Sequence, residues 1–180
     1  PSKDAAPVAP GPRTPGRESR ETQKQQPAEQ RGGGGRTQVF EAEKAGVLAR
    51  TWQFAGHASQ LEHPGDYFAF DLADESLFCI KGRDGTIRTF YNVCQHRAHQ
   101  LVSGEGSTRV VVCPYHAWTY ELTGKLRAAP NAKSVPGFDA SKICLAEVRP
   151  EVFCGFVFVN LDPDAEPMGT WFPNARAELE

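Results

Sequence analysis

Residues 94–116 decide the reading of this chain: C-Q-H at 94–96, sixteen residues, then C-P-Y-H at 113–116. Two thiols and two imidazoles come as two compact pairs, each short enough for one tight loop to aim both side chains at a metal. Each pair is mixed, with one sulfur and one nitrogen. Classical zinc sites more often pair Cys with Cys and His with His. A [2Fe–2S] cluster with two Cys on one iron and two His on the other needs a mixed pair on each loop. The motif therefore points to a redox cluster, with a closed Cys₂His₂ zinc site as the alternative.

The rest of the chain narrows the setting. Its 180 residues suffice for one ordinary domain plus a tail. The balance of 20 basic against 22 acidic residues gives no case for nucleic acid or an anionic membrane as partner. No apolar run approaches the roughly 18 residues of a membrane span. Of five cysteines, Cys79, Cys144 and Cys154 lie outside the motif and read as free thiols. That usage fits a reducing, cytoplasmic compartment.

Residues 1–36 contain six Pro and six Gly but no Leu, Ile, Phe, Tyr or Trp. Such a segment cannot bury enough apolar area to offset its conformational entropy, so a disordered tail is expected, with 32–35 as a flexible hinge. Its acidic residues and lack of an amphipathic face argue against a transit peptide. From Thr37, a potential N-cap, a short helix is expected with Phe40, Val47 and Leu48 roughly along one side.

Beyond Trp52 the chain reads as strands. Residues 67–72, 77–81 and 87–93 are rich in aromatic and β-branched side chains and are separated by turn signals, Asp84-Gly85 the clearest. A short strand at 110–112 runs into Cys113, a hairpin turn is expected at 122–125, and residues 152–161 read as one final strand buried on both faces. Closely spaced short strands indicate an all-β antiparallel sandwich or small barrel. Each metal pair falls where a strand gives way to a loop.

C-Q-H-R-A-H at 94–99 and C-P-Y-H-A-W-T-Y at 113–120, followed by Gly124, Leu126 and Pro130, resemble the Rieske domain of ring-hydroxylating oxygenase α subunits. T-W-Q-F-A-G-H at 51–57 and P-G-D-Y at 64–67 extend the likeness, which covers roughly residues 37–172 and is nearest to enzymes of choline, betaines and related quaternary amines. The resemblance implies that Cys94 and Cys113 hold one iron of a [2Fe–2S] cluster and His96 and His116 the other. Ala117 departs from the Gly common in the family after the second His. Respiratory-type Rieske domains resemble C-x-H-x-x-C and C-x-C-H, with a disulfide tying the loops. Here those positions are His99 and Tyr115, so packing and hydrogen bonds must hold the loops, and a potential near about −150 mV is expected rather than +300 mV.

Three segments are expected: the tail at 1–36 from its composition and, as the resemblance implies, a Rieske domain at 37–165 and at 166–180 the start of a connection to a catalytic domain. In that family oxygen and substrate meet at a mononuclear Fe(II) held by two His and a carboxylate. His57 and His63, with Glu62 and Asp66, are the only other conceivable iron ligands here, and His99 has the wrong spacing for the cluster. No residue of this chain is expected to perform substrate chemistry. The expected role is electron transfer as the electron-input domain of an oxygenase acting on an aromatic ring or a quaternary amine. A reductase or ferredoxin would be the donor, a mononuclear-iron domain the acceptor, and the full-length protein a homo-oligomer. The alternative is a self-standing Rieske ferredoxin. Tyr115, Trp118 and Tyr120 read as packing for the loops, with shielding of the cluster or an electron path as the alternative, and Arg97 as a docking or loop-holding residue.

Overall fold

A computed structural model of the chain describes residues 34–132, 135–174 and 178. In the described part, strands run in the order β1 (Gln53–His57), β2 (Asp66–Leu72), β3 (Glu75–Lys81), β4 (Ile87–Tyr91) and β5 (Glu105–Ser107). They continue as β6 (Val111–Val112), β7 (Thr119–Tyr120), β8 (Leu126–Ala128), β9 (Glu147–Phe153) and β10 (Phe156–Asn160). A helix α1 (Gly34–Glu43) precedes them and a single turn α2 (Met168–Trp171) follows. The strands form a seven-stranded sheet, β1-β10-β9-β4-β3-β2-β5, and a three-stranded one, β6-β7-β8. Every pairing between strands is antiparallel, as the sequence pattern predicts.

β3 shows why two cores form. Successive strand residues point to opposite faces, and the four residues from Leu77 to Ile80 are all buried. Phe78 and Ile80 enter one core with Phe90, Val111, Tyr120 and Leu126. Leu77 and Cys79 enter the other with Leu61, Phe68, Val157 and Val159. Phe78 and Phe90 are direct cross-strand partners with ring centroids 5.7 Å apart; burying each contributes on the order of 1.5–3 kcal/mol. Cys94 and Cys113 belong to the first core, so the metal motif is built on the packed interior that joins the two sheets. Gly124 is indispensable in the β7–β8 turn: its φ is +81°, and a Cβ there would stand 2.6 Å from the Phe90 ring.

Two sequence expectations change. Residues 152–161 do not make one strand: Cys154 (φ +48°) and Gly155 (φ +80°) turn the chain, and β9 and β10 pair as a hairpin. A doubly apolar run hides such a turn, since nothing but the Gly marks it. Phe156 also stays 42% exposed on the outer face, beside Phe54 at 61%. At the N-terminus, the expected tail lies outside the described residues up to 33, and the helix begins at Gly34, within the expected hinge. A π-helical turn, Lys44–Leu48, continues α1. Lys44 pairs there with Glu41 and Asp74, the latter in the β2–β3 turn.

Candidate metal centre

The two loops of the motif close in the same way. In the first, Cys94 N–H donates to His99 O (2.9 Å) and Ala98 N–H to Cys94 O (2.9 Å). In the second, Cys113 N–H donates to Trp118 O (2.8 Å) and Ala117 N–H to Cys113 O (3.0 Å). Both return through an alanine in the left-handed region, Ala98 at φ +53° and Ala117 at φ +55°. A side chain there costs about 1–2 kcal/mol. Ala117, noted as a departure from the family pattern, thus shares its backbone conformation with Ala98.

Equivalent closures present the pairs together. Cys94 and Cys113 are each 2% exposed and face the interior. His96 is exposed, His116 half-buried, and their rings meet edge to face at 4.8 Å. The His96 ring stacks on Trp118 at 4.7 Å with 8° between planes. Tyr115 covers the other side of His116, ring centroids 3.8 Å apart. Sulfur therefore lies inward and nitrogen outward.

Three details bear on what the site can hold. His116 Nδ1 is buried and has no hydrogen-bond partner, a costly state for a polar atom unless it has another ligand. Burial, then the nearby positive potential of His96, Arg97 and His99, holds the His116 pKa below the usual histidine range, which keeps a lone pair free. Among the described residues no three His, Cys, Asp or Glu side chains converge as a mononuclear ion requires. A binuclear cluster taking two protein ligands per iron needs no such convergence. Two buried thiols beside two adjoining imidazoles fit a [2Fe–2S] group with two protein ligands on each iron.

Tyr120, expected first as packing, has a polar task. Its ring is fully buried and its hydroxyl lies 3.2 Å from Cys94 Sγ while accepting from Gln95 N–H at 3.0 Å. Burial and the Cys94 contact both push its pKa up, so the phenol keeps its proton and can donate to a thiolate. Asn92, two residues before Cys94, was not singled out by the sequence; an Asn at a strand end looks like any turn residue. The remaining histidines are not drawn in. His57 caps the 3₁₀ turn Ala58–Leu61 through its Nδ1 and Ser59. His63 sits beside Asp66 at the surface, and His99 Nδ1 lies 2.6 Å from Gln100 O.

A family model described as the Rieske [2Fe–2S] domain matches residues 51–139, spanning both loops. The chain carries a Rieske domain. This Rieske domain is 44% identical over 142 residues to the carnitine monooxygenase oxygenase subunit of Escherichia coli (strain K12), covering 78% of this chain and 38% of that protein. It is 36% identical over 150 residues to the large oxygenase component of the naphthalene 1,2-dioxygenase system of Pseudomonas putida, covering 81% and 33%. Among solved structures, a quaternary ammonium Rieske monooxygenase in complex with L-carnitine superimposes with a TM-score of 0.76 at 40% identity, covering 79% of this chain and 41% of that one. The chain thus spans well under half the length of these relatives. The resemblance read from residues 94–99 and 113–120 holds, including its lean toward quaternary amines. Among the described residues no helix is long and apolar enough to cross a membrane.

Proposed function

We propose that this chain is the electron-input part of a Rieske non-haem iron oxygenase. Cys94 and Cys113 would hold the inner iron of its [2Fe–2S] cluster, and His96 and His116 the outer one. The observation that carries the reading is the buried, partnerless Nδ1 of His116 beside His96, with two buried thiols on the same pair of loops. When bound, the cluster supplies one-electron redox chemistry at a potential expected near about −150 mV. The chain's own residues do the rest. Tyr120 donates to the Cys94 sulfur, which stabilises added negative charge there. The burial of both cysteines keeps water from the sulfur side, and Trp118 and Tyr115 fix the planes of the two imidazoles.

Electrons would come from a reductase or ferredoxin and go to a mononuclear-iron catalytic domain in a homo-oligomer. A solved relative is described by its inter-subunit electron transfer, and an apolar cleft of about 570 Å³ opens beside His96 and His116, walled by Trp118, Val135 and Phe138. Both support a protein acceptor docking at the imidazoles. The higher identity to carnitine monooxygenase subunits supports a quaternary amine as the substrate of the whole enzyme.

The test is spectroscopic. Purified protein should be red-brown and, once reduced, give the paramagnetic signal of mixed Cys/His ligation. His116→Ala should abolish the visible absorbance; an unchanged spectrum in that variant refutes the ligand set. A colourless protein holding zinc, or a strongly positive potential, counts against the electron-relay role.

A further inference from the structure

The two loops rest on unequal stems. The second grows from a regular hairpin, with Val111 opposite Tyr120 and Val112 opposite Thr119. The first has a single isolated bridge, Val93 with Gln100, and the chain returning through 101–103 lies in no strand, meeting the sheet where Gly104 O accepts from Ala69 N–H (2.7 Å). Its backbone groups still need partners, because Leu101 is buried.

The Asn92 side chain provides them. Its Oδ1 accepts from Leu101 N–H (3.1 Å) and Val102 N–H (3.0 Å), while its Nδ2 donates to Val102 O (2.8 Å) and lies 3.4 Å from Ser76 Oγ. A carboxamide has two acceptor lone pairs and two donor hydrogens, and all four find partners. The residue is 1% exposed, and its backbone N–H is tied to Ser76 O (2.8 Å) on β3. The amide acts as one extra peptide unit, bonding to the returning chain as a neighbouring strand would. It thereby fixes both ends of the loop that carries Cys94 and His96. The same loop must bring Cys94 Sγ and Gln95 N–H to the Tyr120 hydroxyl, which belongs to the second stem.

We propose that Asn92 is the positioning residue of the first cluster loop, setting the registry of Cys94 and His96 against Cys113 and His116. Its side chain serves as a non-covalent clamp where no disulfide ties the loops. This rests on the four-ligand reading above. Breaking the clamp should loosen the Tyr120 contact and widen the range of cluster geometries.

The experiment compares the cluster-loaded wild type with Asn92→Ala, Asn92→Asp and a control, Val157→Ala, which opens the second core away from the loops. Asn92→Asp keeps both acceptors for the Leu101 and Val102 N–H groups but sets an oxygen against Val102 O, so it breaks the donor half of the clamp alone. Thermal unfolding, the reduced-state paramagnetic spectrum, the redox potential and iron release to a chelator are measured on each. Expected are at least ten-fold faster iron release, broadened spectral lines and a more negative potential in the Asn92 variants, with the control at wild-type values even where its thermal stability falls as far. Iron release and spectra that track thermal stability alike in the Asn92 and control variants overturn the positioning role while leaving the ligand set intact. A wild type without a [2Fe–2S] cluster overturns the ligand reading itself, and the positioning role with it.

Discussion

The loops at 94–99 and 113–118 close on matching hydrogen bonds and matching left-handed alanines, yet they stand on different supports. One is the tip of a backbone hairpin; the other is tied at its base by a buried side chain. Loop shape and loop placement are thus separate problems. The turn between Cys and the fifth residue recurs with His at either the third or the fourth position, so a common local geometry serves both C-x-H and C-x-x-H. Placement depends on what lies beneath, a buried side-chain amide under one loop and a β-ladder under the other.

The largest expected effect comes from deleting one thiol. Cys94→Ser and Cys113→Ser should each abolish visible absorbance and lower the melting temperature, because both loops lose the ligand bonds that join them. A variant that keeps its colour shows that the loops do not share one cluster. Next, Tyr120→Phe removes the one described hydroxyl bridging the second stem to the first loop. It leaves Gln95 N–H without its acceptor, at a cost of about 1–3 kcal/mol in denaturant unfolding. It should also move the redox potential to more negative values by withdrawing a donor from Cys94 Sγ; an unmoved potential would show that the phenol serves stability alone.

Smaller changes test whether the loops are equivalent. Ala98→Gly and Ala117→Gly each relieve a left-handed alanine and should stabilise by about 0.5–1 kcal/mol, since part of the relief is offset by the freer unfolded chain. Chemical denaturation midpoints measure both, and a gain in one loop only would show that the loops are not equivalent. The smallest effect lies outside both loops. Arg88, and then the Thr86 N–H, hold the Asp84 carboxyl well below the usual carboxylate range. A depressed value means that this contribution is present above about pH 4 and is lost as pH falls through the folded-state value. Asp84→Asn should therefore flatten the pH dependence of stability below pH 4 while leaving the visible spectrum unchanged.

The sequence reveals the parts of this molecule whose pattern is local. Strands β2, β3 and β4 appear in it within about two residues because aromatic and β-branched runs end at turn pairs such as Asp84-Gly85. The four candidate ligands stand out because Cys and His at loop spacing are rare. The hairpin turn at Cys154 and Gly155 escapes, since apolar residues flank it on both sides. Asn92 and the Tyr120 hydroxyl escape for another reason. Their partners lie ten and 26 positions away, at Val102 and Cys94, and no periodicity links residues across such a gap. Ala98 was readable only as a small residue until its φ was known.

Trp118 offers a further use. It is one of three tryptophans, is 7% exposed, and lies parallel to the His96 ring at 4.7 Å. An indole so close to an iron–sulfur chromophore would emit little light while the cluster is in place and brighten as it leaves. With a cluster held by those four residues, the protein would carry its own fluorescent gauge of occupancy, readable at concentrations far below those that visible absorbance requires.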